Sequence, residues 1–247
     1  MLLAIDIGNT NISFALFKGS RINKNWDIPT KSYSKLKLLK KLKGKLIRFA
    51  LICSVVPGIV NKLAGDIHSI SGVKPEIIGR DIFVPIKNFY RNKKQLGQDR
   101  LVNAYAASQI YSVPVIVVSY GTAVTLDVVS KNRTYLGGLI QPGLRLSLSA
   151  LNSGAAMLPK LNLLPACGLI GIDTRSSILN GVILGSSGST DALIERIRLK
   201  TGKNTLVIGT GGDISLIKKS SKYIKTVDED LTLKGIFLVY KNGLKKG

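Results

Sequence analysis

The sequence predicts an α/β protein made of two related halves. Runs of β-branched and aromatic residues typical of strands alternate with amphipathic runs typical of helices. A short phrase also occurs twice, in Met1–Thr10 and in Val115–Thr125. Each copy has an apolar run, a small polar residue, one spacer, a glycine and then hydroxyl- or amide-bearing residues. One copy lies in each half, so we expect a duplicated strand–turn–strand unit, with the halves at residues 1–112 and 113–247.

The first half opens with a hairpin followed by a basic helix. Leu2–Asp6 and Ile12–Phe17 have strand composition and flank the first glycine turn. Ser34–Phe49 then has lysines interleaved with leucines at helical spacing, although Gly44 weakens its end. Those leucines are Leu36, Leu39, Leu42 and Leu46. A basic amphipathic helix can lie on an anionic membrane, but we expect a solvated surface helix here.

The remainder of the first half continues the alternation. Phe49–Val56 has the composition of a buried strand and stops at Pro57-Gly58, after which Ile59–Ser69 is helical in pattern. Lys74–Ile78 is a further short strand. A loop through Tyr90 and a basic cluster then leads to the predicted helix Leu101–Tyr111.

The second half repeats the opening hairpin and then becomes mainly helical. Val113–Val118 and Leu126–Val129 flank the second glycine turn, and Gly137–Gly143 is predicted to be a dense turn cluster. The remaining elements are the helices Leu144–Leu151, Ser176–Gly185, Asp191–Lys200 and Leu231–Asn242 and the strand Thr205–Ile208. The closing helix could pack back on the first half.

Composition limits the classes of function. The 247 residues include 36 Lys and Arg but only 14 Asp and Glu, a formal net charge of +22. Such a charge either attracts polyanions or reflects a compositional bias, and the excess of lysine over arginine favours bias. No apolar run approaches the roughly 20 residues of a membrane span, no secretory signal is visible, and Cys53 and Cys167 are unclustered. We therefore expect a cytoplasmic protein that binds neither membrane nor specific nucleic acid.

The few acidic residues mark candidate sites for chemistry. Five of them lie in or beside turns that contain glycine or threonine: Asp6, Asp99, Asp127, Asp173 and Asp213. Carboxylates beside phosphate-sized loops suit magnesium binding and the activation of a hydroxyl group. Asp99 alone could equally be a cap that interacts with the free amides at the start of a helix.

The two repeated turns suit phosphate binding. Glycine lets backbone amides approach phosphate oxygens closely, and Asn9, Thr10, Thr122 and Thr125 add side-chain donors. Neither turn is a Walker loop, because the Gly-Lys-Ser/Thr ending is missing. Gly209–Asp213 matches part of a dinucleotide fingerprint without its third glycine, and we expect this loop to lie beside an adenine or ribose.

Six motifs occur in one order along the chain and together are specific. They are Asp6-x-Gly-Asn-Thr, Gly97-x-Asp99-Arg100, Gly121-Thr-Ala-x-Thr125-x-Asp127, Gly137-Gly-x-Ile-x-Pro-Gly143, Ile170-Gly171-x-x-Thr174 and Thr210-Gly-Gly-Asp213. Over nearly its whole length the chain thereby resembles type III pantothenate kinase. The resemblance implies an actin-like ATPase fold of the superfamily that includes sugar kinases and Hsp70, with two ribonuclease-H-like halves, mixed sheets and an ATP cleft between them. It also implies a homodimer that uses ATP to phosphorylate pantothenate, the first step towards coenzyme A.

The resemblance assigns roles to matching positions. The first ATP phosphate loop would be Asp6, Ile7, Gly8, Asn9, Thr10, Asn11, Ile12 and Ser13, with Thr122 as a second ATP contact. Asp6 would hold magnesium through water. The pantothenate-binding set would be Tyr90, Gly97, Gln98, Asp99, Arg100 and Thr174. Within that set, Asp99 would be the general base that takes the proton from the primary hydroxyl, which favours catalysis over capping for this residue.

One position departs from the family pattern. The family usually has Asp where this chain has Ser119, and that carboxylate helps to hold a monovalent cation, K⁺ or NH₄⁺. A neutral hydroxyl holds a hard cation less strongly, so we expect weakened or altered cation dependence, or impaired catalysis. The alternative function is that of a catalytically weakened relative with an accessory role in transcription. Intact Asp99 and Arg100 speak against it, as does the lack of a helix-turn-helix or zinc pattern.

Overall fold

The computed structural model describes residues 1–243 and contains two five-stranded mixed sheets of the same strand order. The first sheet has the order β3-β2-β1-β4-β5 and the second the order β8-β7-β6-β9-β10. In each sheet the first three strands are antiparallel neighbours and the last two run parallel to the central strand. The repeated phrase in the sequence therefore corresponds to a repeated topology.

Contacts divide the chain into two compact units. Unit 1 consists of Met1–Ala106 and the described part of the chain from Asp230 onward, and unit 2 of Ala107–Glu229. The division predicted between residues 112 and 113 stays a prediction about the duplicated halves. No helix among residues 1–243 is long and apolar enough to cross a bilayer.

Unit 1 builds its sheet from the hairpin at the N-terminus outward. Its strands are β1 Leu2–Ile7, β2 Asn11–Lys18, β3 Arg21–Pro29, β4 Phe49–Ser54 and β5 Glu76–Ile77. Its helices are α1 Lys35–Leu42, α2 Pro57–Ser71 and α7 Leu231–Gly243, and α3 Gln98–Ile110 begins in it. α2 begins at Pro57, two residues before the predicted Ile59, because proline suits the first turn of a helix.

Alternation along β1 separates two cores. Leu3, Ile5 and Ile7 point to the face covered by α1 and α2, where Leu38 and Leu63 are fully buried. Leu2 and Ala4 point to the opposite face, which is covered by α3 and α7. Because side chains alternate along a strand, Asp6 belongs to this second face, at the end of its apolar part.

Unit 2 repeats the sheet and adds a long helix. Its strands are β6 Val115–Tyr120, β7 Ala123–Val129, β8 Tyr135–Pro142, β9 Leu206–Thr210 and β10 Thr226–Val227. Its helices are α4 Leu144–Gly154, α5 Thr174–Thr201 and α6 Ile214–Lys218. α5 unites the two helices predicted at 176–185 and 191–200, and Asp173 caps its start in a reciprocal capping box with Ser176.

Two element predictions were wrong. The basic helix ends at Leu42, well before the predicted Phe49, because Gly44 adopts a left-handed φ of 71°. Gly137–Gly143, predicted to be turns, lies mostly in strand β8, where Gly138 pairs with Asp127 and only Gly137 has a positive φ. An edge strand such as β8 therefore accommodates these glycines, which do not form turns there.

Candidate active site

Asp6 lies in a row of polar side chains that crosses the first sheet. Strand register places Asp6 between Ser13 on β2 and Cys53 on β4, and Ser13 in turn pairs with Asp27 on β3. Asp6 and Ser13 are half-buried, Cys53 is buried and Asp27 is exposed. The row therefore runs from the interior of unit 1 to its surface along one face of the sheet.

Asp99 faces the same row from helix α3. It lies in the first turn of this helix, and its carboxylate raises the pKa values of both Asp6 and Cys53, so the three groups are electrostatically coupled. Gly97 leaves room for that arrangement. A β-carbon at Gly97 would lie only 2.5 Å from Oδ1 of Asp99. The helix start thus presents the predicted base beside the predicted magnesium residue.

Burial and neighbouring carboxylates disfavour the ionised form of Asp6. Burial raises the pKa of Asp6 from 3.8 to about 7, and repulsion from Asp99 and Asp27 adds to the rise. The pKa of the Cys53 thiol is raised as well, chiefly by burial and then by Asp6 and Asp99. Cys53 therefore stays a neutral thiol. The carboxylates of Asp99 and Asp27 repel that of Asp6, so a cation bound near them would stabilise the ionised form of Asp6.

These residues fit a magnesium ion that is shared with substrate phosphates. Among residues 1–243, no group of three or more His, Cys, Asp or Glu side chains is arranged to hold a metal by itself. Magnesium keeps several waters and commonly uses one or two carboxylates together with phosphate oxygens. Asp6, whose ionised form is disfavoured in these surroundings, could offer a hard oxygen ligand of that kind.

The first glycine turn is short and braced. The amide of Gly8 donates to the carbonyl oxygen of Asn11 at 2.9 Å, which closes the turn between β1 and β2. Thr30 holds the turn from the side: its Oγ1 donates to the Gly8 carbonyl at 2.7 Å and its amide donates to the Thr10 carbonyl at 2.9 Å. Asn9 and Thr10 are consequently exposed at the tip of a fixed loop. Ile7 and Ile12, by contrast, are fully buried in the core beneath it.

The second turn is tighter and is packed against two glycines. The amide of Gly121 donates to the Ala123 carbonyl at 3.1 Å, and Thr122 is exposed at the tip. A β-carbon on Gly143 would collide with the carbonyl oxygens of Gly121 and Thr122. Gly211, at a φ of 93°, lies equally close to the backbone of Tyr120. The Gly137–Gly143 and Gly209–Asp213 motifs thus support the second turn by close backbone packing.

Ser119 occupies the position in unit 2 that Asp6 occupies in unit 1. It pairs with Thr125 on β7 and Thr210 on β9, as Asp6 pairs with Ser13 and Cys53. Thr125 Oγ1 donates to the buried Asp127 carboxylate at 3.0 Å, and the Tyr135 hydroxyl donates to it at 2.8 Å. The row around Ser119 therefore consists of neutral hydroxyls, and the nearby Asp127 carboxylate accepts from one of them, Thr125, and from Tyr135 outside the row.

The remaining predicted substrate residues lie in both units. In unit 1, Arg100 is buried, Gln98 packs against Gly79 and Tyr90 is half-buried in the loop before α3. In unit 2, Thr174 is the exposed first residue of α5. It lines a cavity of about 540 Å³ whose other walls include Leu151, Leu158, Ile172, Ser177 and Ile178. The assignment of these residues to pantothenate stays a prediction.

Sequence reasoning missed three residues of this region. Thr30 braces the first turn, while Asp27 and Cys53 complete the row beside Asp6. β3, which carries Asp27, was not predicted. Its alternation of Ile22, Trp26 and Ile28 with polar residues could have revealed it.

Comparison with known sequences gives one consistent result. The sequence model of the family described as type III pantothenate kinase matches residues 2–196. A type III pantothenate kinase from Agathobacter rectalis is 37% identical over 258 residues, which cover 100% of this chain and 99% of that protein. The one from Syntrophus aciditrophicus is 38% identical and covers 98% and 99% respectively. The one from Finegoldia magna is also 38% identical, covering 100% and 98%.

Solved structures resemble the whole chain at low identity. A Baf family protein from Campylobacter jejuni has a TM-score of 0.64 at 19% identity and covers 98% of this chain and 99% of its own. The activator of 2-hydroxyisocaproyl-CoA dehydratase from Clostridium difficile, solved with bound ADPNP, has a TM-score of 0.58 at 14% identity, covering 100% and 97%. Such likeness shows the fold alone, and it confirms the predicted α/β class with two duplicated mixed sheets.

Proposed function

Because the chain belongs to the type III pantothenate kinase family, we propose that it transfers the γ-phosphoryl group of ATP to the primary hydroxyl of pantothenate. The observation that supports this most directly is the pairing of Asp6 with Asp99 in unit 1, a magnesium-type carboxylate beside a carboxylate at a helix start. The products are 4'-phosphopantothenate and ADP, and the former is committed to coenzyme A.

Asp99 acts as the general base in this proposal. The pantothenate hydroxyl oxygen bonds to the γ-phosphorus, the bond to the bridging oxygen of ADP breaks, and the hydroxyl proton passes to the Asp99 carboxylate. Phosphoryl transfer depends mostly on positioning and charge neutralisation, and the base acts late. A magnesium ion, when bound through Asp6 and water, neutralises phosphate charge. Gly97 keeps space for the Asp99 carboxylate in its folded-back position.

The loop Asp6–Ser13 is proposed to hold ATP phosphates, with Thr122 as a further ATP contact. The exposed Asn9 and Thr10 offer amides and polar side chains on a turn that Thr30 holds in place. A preformed turn lowers the entropy lost when a phosphate binds. Arg100 is proposed to pair with the pantothenate carboxylate or a phosphate, for which its planar fork is suited.

An assay of purified protein with ATP, magnesium and pantothenate tests the function. We expect phosphopantothenate to form and Asp99→Asn to lower kcat by at least about 100-fold, since general base catalysis contributes roughly 10²–10⁴-fold. Gly97→Ala should also lower kcat, because its β-carbon displaces the carboxylate. Gly65→Ala, at an open site in α2, is the matched control and should leave kcat unchanged. Absence of product from the folded wild type would refute the proposal.

Ser119 is proposed to weaken the dependence on a monovalent cation. The polar row around it carries hydroxyls in place of the charge that the family usually has there. Wild-type turnover should therefore respond less to K⁺ or NH₄⁺ than that of Ser119→Asp, with Na⁺ as the reference salt. Equal activation of the two proteins by K⁺ would contradict this proposal.

The protein is further proposed to be a homodimer. Unit 2 exposes large apolar side chains between α4 and α5, with Met157, Ile170 and Ile172 exposed by 95%, 82% and 95%. Such a concentration of apolar surface is typical of a protein interface. Sedimentation velocity should give a dimer, and a monomer at micromolar concentration would contradict it.

A further inference from the structure

Helix α1 and the segment that follows it expose three of the leucines that have helical spacing in the sequence. Leu36, Leu39 and Leu46 are exposed by 59%, 43% and 68% of their surface, whereas the buried leucines of the segment are Leu38 and Leu42. The sequence favoured a solvated surface helix over one that lies on an anionic membrane, and three exposed leucines are unusual for a segment that only faces water.

The exposed leucines are grouped with lysines on the outward side of the helix. Residues three or four positions apart on a helix are surface neighbours, so Leu36 lies beside Leu39 and Lys40, and Leu39 lies beside Lys43. We call these four residues the leucine–lysine surface. Its scaffold is fixed, because Leu38 and Leu42 anchor α1 in the core and Ser34 caps its first turn by accepting from the amide of Lys37.

The segment between Asp27 and Asp66, which contains α1, has basic residues but no acidic ones. Among the basic residues, Lys35, Lys40, Lys41, Lys43, Lys45 and Arg48 are all exposed. The positively charged ammonium group of Met1 lies beside this segment, where it donates to the Leu46 carbonyl at 3.0 Å. On the neighbouring α2, Asp66 accepts a hydrogen bond from the Tyr33 hydroxyl at 2.9 Å. Positive charges therefore outnumber negative ones around the exposed leucines, with Asp66 as the nearby acid on α2.

We propose that the leucine–lysine surface docks this protein on the face of an anionic phospholipid bilayer. Lysines attract the headgroups and the leucines enter the boundary with the acyl chains, as in helices that lie in the membrane interface. Both the positive charge and the exposed leucines are needed to favour an anionic membrane over other polyanions. Nucleic acid would use the charge but offers little to exposed leucines, and arginine, which suits phosphate recognition better, contributes only Arg48 here.

Vesicle flotation tests the docking with the full-length protein. We expect binding to vesicles of phosphatidylcholine containing phosphatidylglycerol and little binding to phosphatidylcholine alone. Lys40→Glu with Lys43→Glu should lower the partition coefficient at least about tenfold, because each basic residue near an anionic surface contributes appreciably. Leu36→Ser with Leu39→Ser should lower it as well while leaving the net charge unchanged.

Two controls make the result decisive. Lys218→Glu with Lys219→Glu makes the same change in net charge at exposed positions in unit 2 and should leave vesicle binding within about twofold of wild type. Kinase turnover should be unchanged in all these variants, which separates this proposal from the proposed catalysis. The proposal is overturned if the Lys40/Lys43 variant and the Lys218/Lys219 variant lower vesicle binding equally, or if the leucine variant binds vesicles like wild type. It is also overturned if only binding to duplex DNA depends on Lys40 and Lys43.

Discussion

Asp6 and Ser119 occupy equivalent places in two sheets of one topology, and only Asp6 carries a titratable charge. Each lies on the central strand, one position before the end of the β-ladder that it forms with the next strand. The sequence repeat already aligned these two residues. It could not show that Cys53 and Asp27 share the row with Asp6, because strand register between distant segments is set by tertiary packing.

The raised pKa of Asp6 predicts a specific pH dependence of stability without magnesium. A folded-state pKa of about 7, against 3.8 ordinarily, means that the folded state binds more protons between these values. Stability is therefore highest below about pH 4 as far as this group is concerned, falls as pH rises to about 7, and is flat above. Asp6→Asn removes this loss, so its advantage in free energy of unfolding should grow across that window, to a ceiling of about 4 kcal/mol at about 1.4 kcal/mol per pKa unit.

Urea unfolding of both proteins from pH 5 to 8 in the presence of a chelator measures this difference. The Asn variant should be the more stable apoprotein at pH 8 and yet lack kinase activity. A difference in stability that is the same at pH 5 and pH 8 would show that Asp6 does not titrate in this range.

At the scale of elements, the errors of sequence reasoning have identifiable causes. Leucine spacing in α1 is compatible with two different buried stripes, and the choice of Leu38 and Leu42 over Leu36 and Leu39 comes from packing on α2. Glycine density predicts turns, but β8 is paired on one side only, with β7, where a strand accepts glycines. Helix starts were predicted within about two residues, at Ile59 and Ser176, and Pro57 and Asp173 mark where α2 and α5 begin in the structure.

The contact between α4 and the second turn predicts a sharp effect of Gly143→Ala. The φ of Gly143 is −71°, which any residue adopts, so the substitution tests only the space beside the backbone oxygens of Gly121 and Thr122. Those atoms belong to a turn and can yield only if it moves. We expect a loss of about 1–3 kcal/mol in stability, as for overpacking, and weaker ATP binding.

Thermal unfolding and nucleotide titration check the Gly143 prediction. Gly154→Ala at the other end of α4 is the matched control, since nothing lies within 4 Å of its β-carbon. It should change stability by less than about 1 kcal/mol and leave ATP affinity unaltered. Unchanged ATP affinity in a folded Gly143→Ala protein would show that the second turn does not contact the nucleotide.

At the scale of the whole molecule, duplication was the most predictable feature. The repeated phrase around Gly8 and Gly121 indicated two units, and both adopt the same strand order. The sequence pattern does not reveal which side chains of distant segments pack together. Leu233, Ile236 and Val239 on α7 pack in one cluster with Leu2 and other residues of the N-terminal sheet. Helical periodicity predicted α7, and the expectation that this closing helix could pack on the first half did not say which residues it would contact.

Because α7 packs in the core of unit 1, we expect the stability of this unit to depend on the helix. Ile236 is fully buried, and next to it Gly235 lies so close to Val102 of α3 that a β-carbon would come within 2.6 Å of the valine side chain. Ile236→Ala should therefore cost about 2–5 kcal/mol, as is typical of large-to-small changes in a core. Lys241→Ala, on the exposed side of the same helix, should change stability by less than about 0.5 kcal/mol. Denaturant unfolding monitored through the single Trp26 reports on unit 1 directly, because Trp26 stacks on Phe14 at 5.2 Å. A cost below about 1 kcal/mol for Ile236→Ala would contradict the prediction that this side chain of α7 is important for the stability of unit 1.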